Sequence, residues 1–305
     1  MAQLLTTRAK PFLKWAGGKT QLLDQMATRF PAELRLGKIR RYIEPFVGGG
    51  AVFFHIAQNY DVEEFHLFDV NEELVLAYRT VKTAVEHLID TLSRIELHYL
   101  GLNEDSRRAF FYEMRATFNT SRALSNRRTI DFKCVERTAQ LIFLNKTCFN
   151  GLFRVNSKSE FNVPFGRYKN PGYCDEANLR AVSQALQHVE LSSASFEKVL
   201  EKAVPGDFVY FDPPYVPVSK TANFTAYQAH GFTENDQIKL RDVCIELTQR
   251  SVKVMLSNSA TDRVRTLYST PDFFITEVQA SRAINSNGKR RGKLTELIVT
   301  NYPPN

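Results

Sequence analysis

The sequence predicts an α/β fold: a Rossmann-like, largely parallel sheet that carries an inserted, mainly helical domain. Residues 208–211 are a short apolar run that stops at an acid and two prolines, as a buried parallel strand does where the chain must turn. Residues 42–47 are predicted to form a second strand, which leads into three glycines, and residues 64–69 a third, which ends in an acid. Helical periodicity dominates residues 76–175. We therefore assign residues 1–75 and 176–305 to the sheet domain and 76–175 to the insert.

Composition limits the class of protein. The chain has 305 residues, of which 43% are apolar and 24% charged, as in ordinary soluble proteins. Its net charge of +7 is compatible with a nucleic-acid partner. No stretch is long enough to span a membrane, and no CxxC or HExxH spacing predicts a metal site. We expect a monomeric cytoplasmic protein with free thiols, at Cys134, Cys148, Cys174 and Cys244.

The first informative segment contains Gly-Gly-Lys-Thr at residues 17–20. A phosphate-binding loop is disfavoured because its first glycine would fall at Leu13 and no strand precedes it. The alternative is a turn that presents Trp15 and Lys19 to a small ligand. Trp15 is the single tryptophan of the chain, and a place in the core is the competing interpretation. A helix is expected to follow over residues 21–30.

The glycine turn at residues 48–50 joins a strand to a helix, expected at residues 51–58, as in nucleotide-binding βα units. Phe53 replaces the last glycine of the dinucleotide pattern, so a ligand without a pyrophosphate is favoured. Asp69 follows Gly48 at the distance where such folds place a carboxylate for ribose hydroxyls. The alternative role for Asp69 is to cap the helix predicted from residue 71.

The Asp212-Pro213-Pro214-Tyr215 sequence follows the strand at residues 208–211. A carboxylate and a rigid backbone carbonyl can accept both hydrogens of an exocyclic base amine, which turns its lone pair towards an electrophile. Such acceptors need little reorganisation during reaction, and an aromatic ring that stacks on a base contributes about 1–3 kcal/mol. The plainer interpretation is an Asp-Pro turn after a strand.

The insert predicts helices at residues 83–97, 107–118 and 135–144, followed by a polar and aromatic stretch at residues 145–156. This stretch contains Phe149, Leu152 and Arg154. Arginine suits guanine, an aliphatic side chain suits the thymine methyl, and an aromatic ring can enter a base stack. An ordinary loop with solvated charges is the alternative.

After residue 175 the α/β pattern resumes. It predicts a helix at 176–186, a strand at 188–192, a helix capped by Thr233 that ends near residue 250, and strands at 252–257, 275–278 and 297–300. Residues 219–227 are predicted to form a loop over the site. Residues 282–293 carry five basic residues and no acid, which favours contacts to phosphates.

Taken together, these segments resemble the Dam-type DNA adenine-N6 methyltransferases over nearly the whole chain. The resemblance is carried, in the order of the family, by residues 12–19, 44–50, 69–71, 150–152, 161–166, 212–215 and 286–288. It implies a methyltransferase sheet, S-adenosylmethionine as the methyl donor and double-stranded DNA as the partner. It also implies that residues 76–175 recognise the target, and it places the protein at the nucleoid.

The resemblance also assigns residues. The donor would be bound by Trp15, Lys19, Phe46, Gly48, Asp69 and Asp212. The catalytic motif would be Asp212, Pro213, Pro214 and Tyr215, which would hold an adenine flipped out of the duplex. In a GATC target, Arg154 would contact a guanine, Leu152 the thymine, and Phe149 the stack, with Asn150 on the same face. Residues 119–130 depart from the family pattern, so no contact is assigned to them.

Two other functions remain open at this point. One is an RNA or other amino-group methyltransferase of the same fold, which Asp212 disfavours because those enzymes often have Asn or Ser there. The other is a non-enzymatic DNA-binding protein, which the intact catalytic motif disfavours. A partner endonuclease in a restriction-modification system is also left open.

Overall fold

The structure is a computed structural model that describes residues 7–121, 129–215, 232–281 and 293–304. The chain divides into two compact units. The first unit comprises Met1–Ala16, Gly48–Gly50 and Asn71–Leu191, and the second comprises Gly17–Val47, Ala51–Val70 and Ser192–Asn305. The predicted loop at 219–227 and nearly all of the basic segment at 282–293 lie outside the described residues.

The predicted sheet is present. Its strands within the described residues are β1 (Arg41–Glu44), β2 (Glu64–Asp69), β3 (Val189–Ser193), β4 (Phe208–Phe211), β5 (Lys253–Ser259), β6 (Phe274–Ser281) and β7 (Lys293–Thr300). Their order is β3-β2-β1-β4-β5-β7-β6. Strands β2, β1, β4 and β5 pair in parallel, whereas β7 is antiparallel to both β5 and β6. This mixed sheet confirms the predicted α/β class.

The strand order reverses between β1 and β4, because β2 lies on one side of this pair and β5 on the other. Open α/β sheets bind ligands in the crevice outside the carboxyl ends of the strands at such a switch point. Here the two strands end at Glu44 and Phe211. The carboxyl ends of β1 and β4, which belong to the same unit, are therefore the expected place for a ligand.

The described helices are α1 (Leu23–Ala27), α2 (Ala32–Arg35), α3 (Ala51–Asn59), α4 (Glu72–Gly101), α5 (Glu104–Thr120), α6 (Phe132–Thr147), α7 (Glu176–Ala185), α8 (Val199–Lys202), α9 (Glu234–Gln249) and α10 (Asp262–Tyr268). Short 3₁₀ turns occur at Phe149–Gly151 and Phe196–Lys198. None of these helices is both long and apolar enough to cross a membrane.

Most predicted helices and strands are confirmed, with some differences in their bounds. The helix expected at residues 21–30 is short, because only Leu23–Ala27 is α-helical. The helices expected at 71–82 and 83–97 follow each other directly in α4 and meet at a kink at Ala84, where φ is −140°. Strand β5 is longer than predicted, so Asn258 lies within the strand instead of after it. The predicted cap at Thr233 is confirmed by a reciprocal capping box with Asp236.

The core of the second unit is built around β4, whose four residues are all buried. Helix α9 packs against the sheet through Leu240, Val243 and Leu247, which lie in the same apolar cluster as Phe211. Removing one such large side chain from water contributes about 1.5–3 kcal/mol. The apolar run that predicted β4 is thus explained by burial on both faces of the sheet.

The first unit is helical. Helix α4 packs on α6 and α7, and α5 packs on α6. The guanidinium of Arg137, which is 3% exposed, donates to the carboxylate of Glu73 at 2.6 and 2.8 Å. It also donates to the carbonyl of Phe118 at 2.9 Å. Paired and hydrogen-bonded in this way, a buried charge holds three helices in one arrangement.

Candidate active site

The centre of the site is Asp212, the residue that follows β4. Pro213 has no N–H to continue the strand, so the chain leaves the sheet there. The carbonyl of Pro214 accepts a hydrogen bond from Nε2 of Gln237 at 3.3 Å, and Asn258 donates to Oε1 of Gln237 at 3.1 Å. This chain of amides links α9 and β5 to the turn. The turn that follows Asp212 is therefore braced at the carbonyl of Pro214.

Lys19 provides the positive charge of the site. Its side chain is 3% exposed, and Nζ lies 2.8 Å from Oδ1 of Asp212 and 3.9 Å from Oε2 of Glu296. The same ammonium donates to the carbonyl of Gly17 at 2.7 Å and lies 4.7 Å from the ring centroid of Tyr215. The Gly-Gly-Lys turn thus delivers a buried cation to two carboxylates, which the sequence did not predict.

Burial raises the pKa of Asp212, and Glu296 raises it further by charge repulsion, whereas the ion pair with Lys19 lowers it. The net result is a pKa of about 6. The carboxyl is 18% exposed and remains an acceptor above that pH. A carboxylate that is preorganised and little hydrated is suited to accept hydrogen bonds from a substrate amine.

A second layer of polar groups lies under the carboxyl ends of β1 and β4. Glu44 is buried and accepts a hydrogen bond from the hydroxyl of Tyr42 at 2.8 Å. Burial and the charge of Asp212 raise the pKa of Glu44 well above its usual range, although the Tyr42 bond opposes this. The hydroxyls of Tyr210 and Ser257 are 2.8 Å apart. Buried polar side chains therefore lie beneath the carboxyl edge of the sheet.

Two other predicted residues lie at the carboxyl ends of β1 and β2. The ring of Phe46 stacks on Phe196 at 5.6 Å and meets Phe232 edge-on at 5.8 Å. Asp69 is half-buried at the end of β2. The alternative role of Asp69 as a helix cap is wrong, because the side chain of Asn71 caps α4 by accepting from the N–H of Leu74 at 3.2 Å.

Trp15 and Gly48 belong to the first unit. The indole stacks on Phe153 with centroids 5.3 Å apart and planes 18° apart. Gly48 has φ of +48°, and a Cβ atom there would lie 2.9 Å from Cδ1 of Trp15. Only glycine combines this backbone with so close an approach. The half-buried Trp15 is thus packed against the glycine turn.

Comparisons with known proteins identify the family. A profile described as D12 class N6 adenine-specific DNA methyltransferase matches residues 15–284. The chain belongs to this family. A type II methyltransferase of Methanocaldococcus jannaschii is 48% identical over 96% of this chain and 99% of its own length. A type II methyltransferase of Lactococcus lactis is 40% identical over 96% of this chain and 95% of its own. The DNA adenine methylase of Escherichia coli K12 is 34% identical over 96% of both chains.

The predicted family and the predicted activity, DNA adenine methylation, are therefore confirmed. In this D12-class methyltransferase the structure brings three predicted residues together, namely Lys19, Asp212 and Tyr215. Sequence reasoning missed two carboxylates, Glu44 and Glu296. Glu44 had a detectable signal, because an acid that ends a strand beside β4 must lie at the same edge of the sheet. In the part of the chain that the structure describes, no group of acidic, His and Cys side chains could hold a metal ion.

The predicted DNA-contacting residues of the methyltransferase lie in the turn after α6. The side chain of Phe149 is 51% exposed. Asn150 adopts φ of +60°, a conformation that asparagine tolerates, and its N–H donates to the hydroxyl of Tyr168 at 3.2 Å. Leu152 is half-buried, and Nε of the exposed Arg154 donates to Oδ1 of Asn162 at 2.8 Å. The turn therefore presents an aromatic ring and a guanidinium outward from a rigid base.

Asn145 supplies that base. Its side chain accepts from the N–H of Lys14 at 2.8 Å and donates to the carbonyls of Lys14 and Gly151 at 2.9 and 3.2 Å. Gly151 has φ of +65°, and a Cβ atom there would lie 2.2 Å from Cδ of Lys14. The turn and the segment before Trp15 are consequently fixed to α6 by one buried amide.

Proposed function

We propose that this methyltransferase transfers the methyl group of S-adenosylmethionine to N6 of an adenine that is flipped out of duplex DNA, within the sequence GATC. The observation that carries this proposal is the Asp212 carboxylate. It lies at the switch point of the sheet, 2.8 Å from the buried Lys19 and directly before a braced proline turn. The proposed function also rests on membership of an adenine-specific family.

The residues of the second unit fit such a donor. A sulfonium donor supplies a positively charged, already activated methyl group when it is bound. Phe46 offers an aromatic face for its base, Asp69 a carboxylate for its ribose hydroxyls, and Asp212 a negative charge for its cationic part. Trp15 and Gly48 are proposed as further contacts on the strength of the resemblance. Lys19 is proposed to act through Asp212, because its ammonium is already engaged there.

The chain's own residues would act mainly by holding the adenine amine. The Asp212 carboxylate and the Pro213 carbonyl each accept one N–H of the amine, which favours a pyramidal nitrogen. The Tyr215 ring stacks on the base and offsets part of the few kcal/mol that flipping costs. Lys19 holds the carboxylate in orientation, so that positioning supplies much of the acceleration.

Target recognition is assigned to the turn after α6. Arg154 can make a bidentate contact with guanine, Leu152 an apolar contact with the thymine methyl, and Phe149 can occupy the stack beside the flipped base. Asn150 is placed on the same turn. The exposure of Phe149 and Arg154 supports this assignment, because both side chains are accessible to a partner.

Methyl transfer from labelled S-adenosylmethionine to short oligonucleotides tests the proposal. Duplexes with GATC, with each single-base change, and with the adenine replaced by cytosine are compared with single-stranded DNA and RNA. We expect label on the adenine of GATC duplexes alone. Equal labelling of all adenine-containing duplexes would disprove the target, and labelling of RNA instead would disprove the substrate.

Replacing Arg154 by alanine should weaken discrimination at one guanine position of the target by about 1–3 kcal/mol. The measurement is kcat/KM on GATC and on the three duplexes changed at each guanine–cytosine pair. Arg108→Ala on the exposed face of α5 removes the same charge elsewhere and should leave the ratio unchanged. A uniform loss on all duplexes would instead indicate a phosphate contact.

Methylation is expected to fall as the pH is lowered through about 6, the pKa of Asp212. Below that pH the carboxyl is protonated, so it gains a donor hydrogen and loses its charge, and it no longer accepts both from Lys19 and from the amine. Above it the carboxylate is fully formed and activity reaches a plateau. The acidic limb of kcat/KM against pH, which reports the free enzyme, measures this. A flat profile down to pH 5 would contradict the assignment.

A further inference from the structure

Strand β7 places a carboxylate in the interior of the sheet. Glu296 is 8% exposed, and its strand lies between β5 and β6, opposite Ser259 on one side and Val278 on the other. The three residues that follow it, Leu297, Ile298 and Val299, are all buried and apolar. A charge in such a place is destabilising unless it is paired and hydrogen-bonded. The partners of Glu296 therefore indicate why the position is acidic.

Those partners are both residues of the active site. The hydroxyl of Tyr215 donates to Oε2 of Glu296 at 2.5 Å, and Nζ of Lys19 lies 3.9 Å from the same oxygen. Lys19 in turn lies over the ring of Tyr215 at 4.7 Å. Glu296, Lys19 and Tyr215 thus form a closed triangle beside Asp212, and each contact in it is charge-assisted or directed at the ring face.

We propose that Glu296 is a positioning residue for adenine methylation, which fixes the Tyr215 ring through its hydroxyl and shares Lys19 with Asp212. The proposal rests on the function proposed above for Asp212 and Tyr215. It adds a residue from β7 that has no place among the predicted catalytic, donor or DNA contacts.

The hydrogen bond has a direct mechanical effect on the stacking surface. A tyrosine ring turns about two side-chain torsions, and an anchor at the hydroxyl, the atom farthest from the backbone, restrains both. Burial and the nearby acids raise the pKa of Tyr215 well above its usual range, so the hydroxyl keeps its proton and remains a donor. The ring is thus held in one orientation before a base arrives, which reduces the entropy lost on binding.

The charge of Glu296 has a second effect, on Asp212. Among the residues that the structure describes, the ionisable groups that interact with Asp212 are Lys19, Glu296, Glu44, Tyr42, Tyr210 and Tyr215. Lys19 is the cation among them. With Glu296 ionised, Lys19 is attracted to two acids and Asp212 stays a stronger base; with Glu296 neutral, Lys19 would pair with Asp212 alone. Neutralising Glu296 should therefore lower the pH at which Asp212 is protonated.

Two substitutions separate these effects. Glu296→Gln keeps an oxygen that accepts from Tyr215 but removes the charge, so the acidic limb of kcat/KM should move to lower pH while the plateau changes little. Tyr215→Phe removes the hydroxyl and keeps the ring, so kcat should fall roughly tenfold, as expected for one charge-assisted hydrogen bond, with the acidic limb kept. Glu296→Ala should show both changes.

The double variant Tyr215→Phe/Glu296→Ala is the decisive comparison. If Glu296 acts on the ring through the hydroxyl, the plateau loss of Glu296→Ala should largely vanish in the Tyr215→Phe background. The matched control is Glu277→Gln on the adjacent strand β6. It neutralises an exposed acid that is paired with Arg265, and it should change neither readout. Thermal unfolding of each variant identifies losses that come from misfolding.

The inference is overturned if Glu296→Gln leaves the acidic limb in place and the double variant shows additive losses. That outcome differs from a failure of the proposed function, in which the unmodified enzyme itself would not methylate adenine in GATC. If Glu296→Ala does not fold, Glu296→Gln still decides the matter, because replacing a purely structural Glu296 by glutamine would leave the acidic limb in place.

Discussion

Replacing Asp212 by alanine is expected to lower kcat for adenine methylation by about 10²–10³-fold, the loss typical of removing one preorganised group at a reacting centre. Binding of duplex DNA should be largely unchanged, because the proposed recognition residues lie on the turn after α6. The measurements are single-turnover methylation of a GATC duplex and titration of the same duplex by fluorescence anisotropy. Near-normal turnover by the variant would refute the role assigned to the carboxylate.

Two controls accompany this variant. Asp272→Ala removes an exposed acid from the turn before β6 and should leave turnover unchanged. Asp212→Asn keeps the size of the side chain and one acceptor oxygen but removes the charge, so its loss should be smaller than that of alanine. Its remaining activity should lack the acidic limb near pH 6, because no group with that pKa is then left at this position.

Replacing Lys19 by methionine should destabilise the fold as well as the reaction. The change leaves Asp212 and Glu296 in the interior without their cation, and breaking a buried ion pair in this way costs about 3–5 kcal/mol. The lost attraction also raises the pKa of Asp212, since Lys19 lowers it in the native protein. The free energy of unfolding from urea titration measures the first effect, and the acidic limb of kcat/KM, shifted to higher pH, measures the second.

The sign of the pH dependence provides a further check on Lys19→Met. Folded Asp212 binds a proton more readily than the unfolded chain does in both proteins, and more so in the variant, because its pKa is higher there. As the pH falls from 8 to 5, the variant therefore gains more stability than the native protein does. The difference in unfolding free energy should therefore shrink at pH 5. Lys38→Met, at an exposed position, is the control. Equal destabilisation at both pH values would show that the buried acids do not respond to Lys19.

The strands were predictable where burial dictated composition. The run at residues 208–211 must be apolar because β4 is covered on both faces. Asp69 at the end of β2 and Asp212 directly after β4 are visible as abrupt changes in the sequence. The capping box at Thr233 was predictable for a similar reason, since its contacts span only three residues. Patterns among neighbouring residues therefore predicted the helices and strands and the position of Asp212.

Other features depend on contacts between distant parts of the chain. Lys19 and Asp212 are far apart in sequence, so the glycine turn predicted only that Lys19 is presented to a small ligand, and the buried ion pair with Asp212 appears only in the structure. The strand predicted at 297–300 begins after Glu296, whereas β7 begins at Lys293 and includes this residue. No pattern of spacing encodes these pairings.

The buried amide of Asn145 has a consequence for engineering altered specificity. One of its hydrogen bonds holds the carbonyl of Gly151, next to Leu152, and two hold the backbone of Lys14, whose side chain leaves no room for a larger residue at position 151. A library that randomises positions 152 and 154 should therefore yield folded enzymes with new sequence preferences. A library that also randomises position 145 or 151 should consist mostly of variants that do not fold, so few would be left for selection of a new sequence preference.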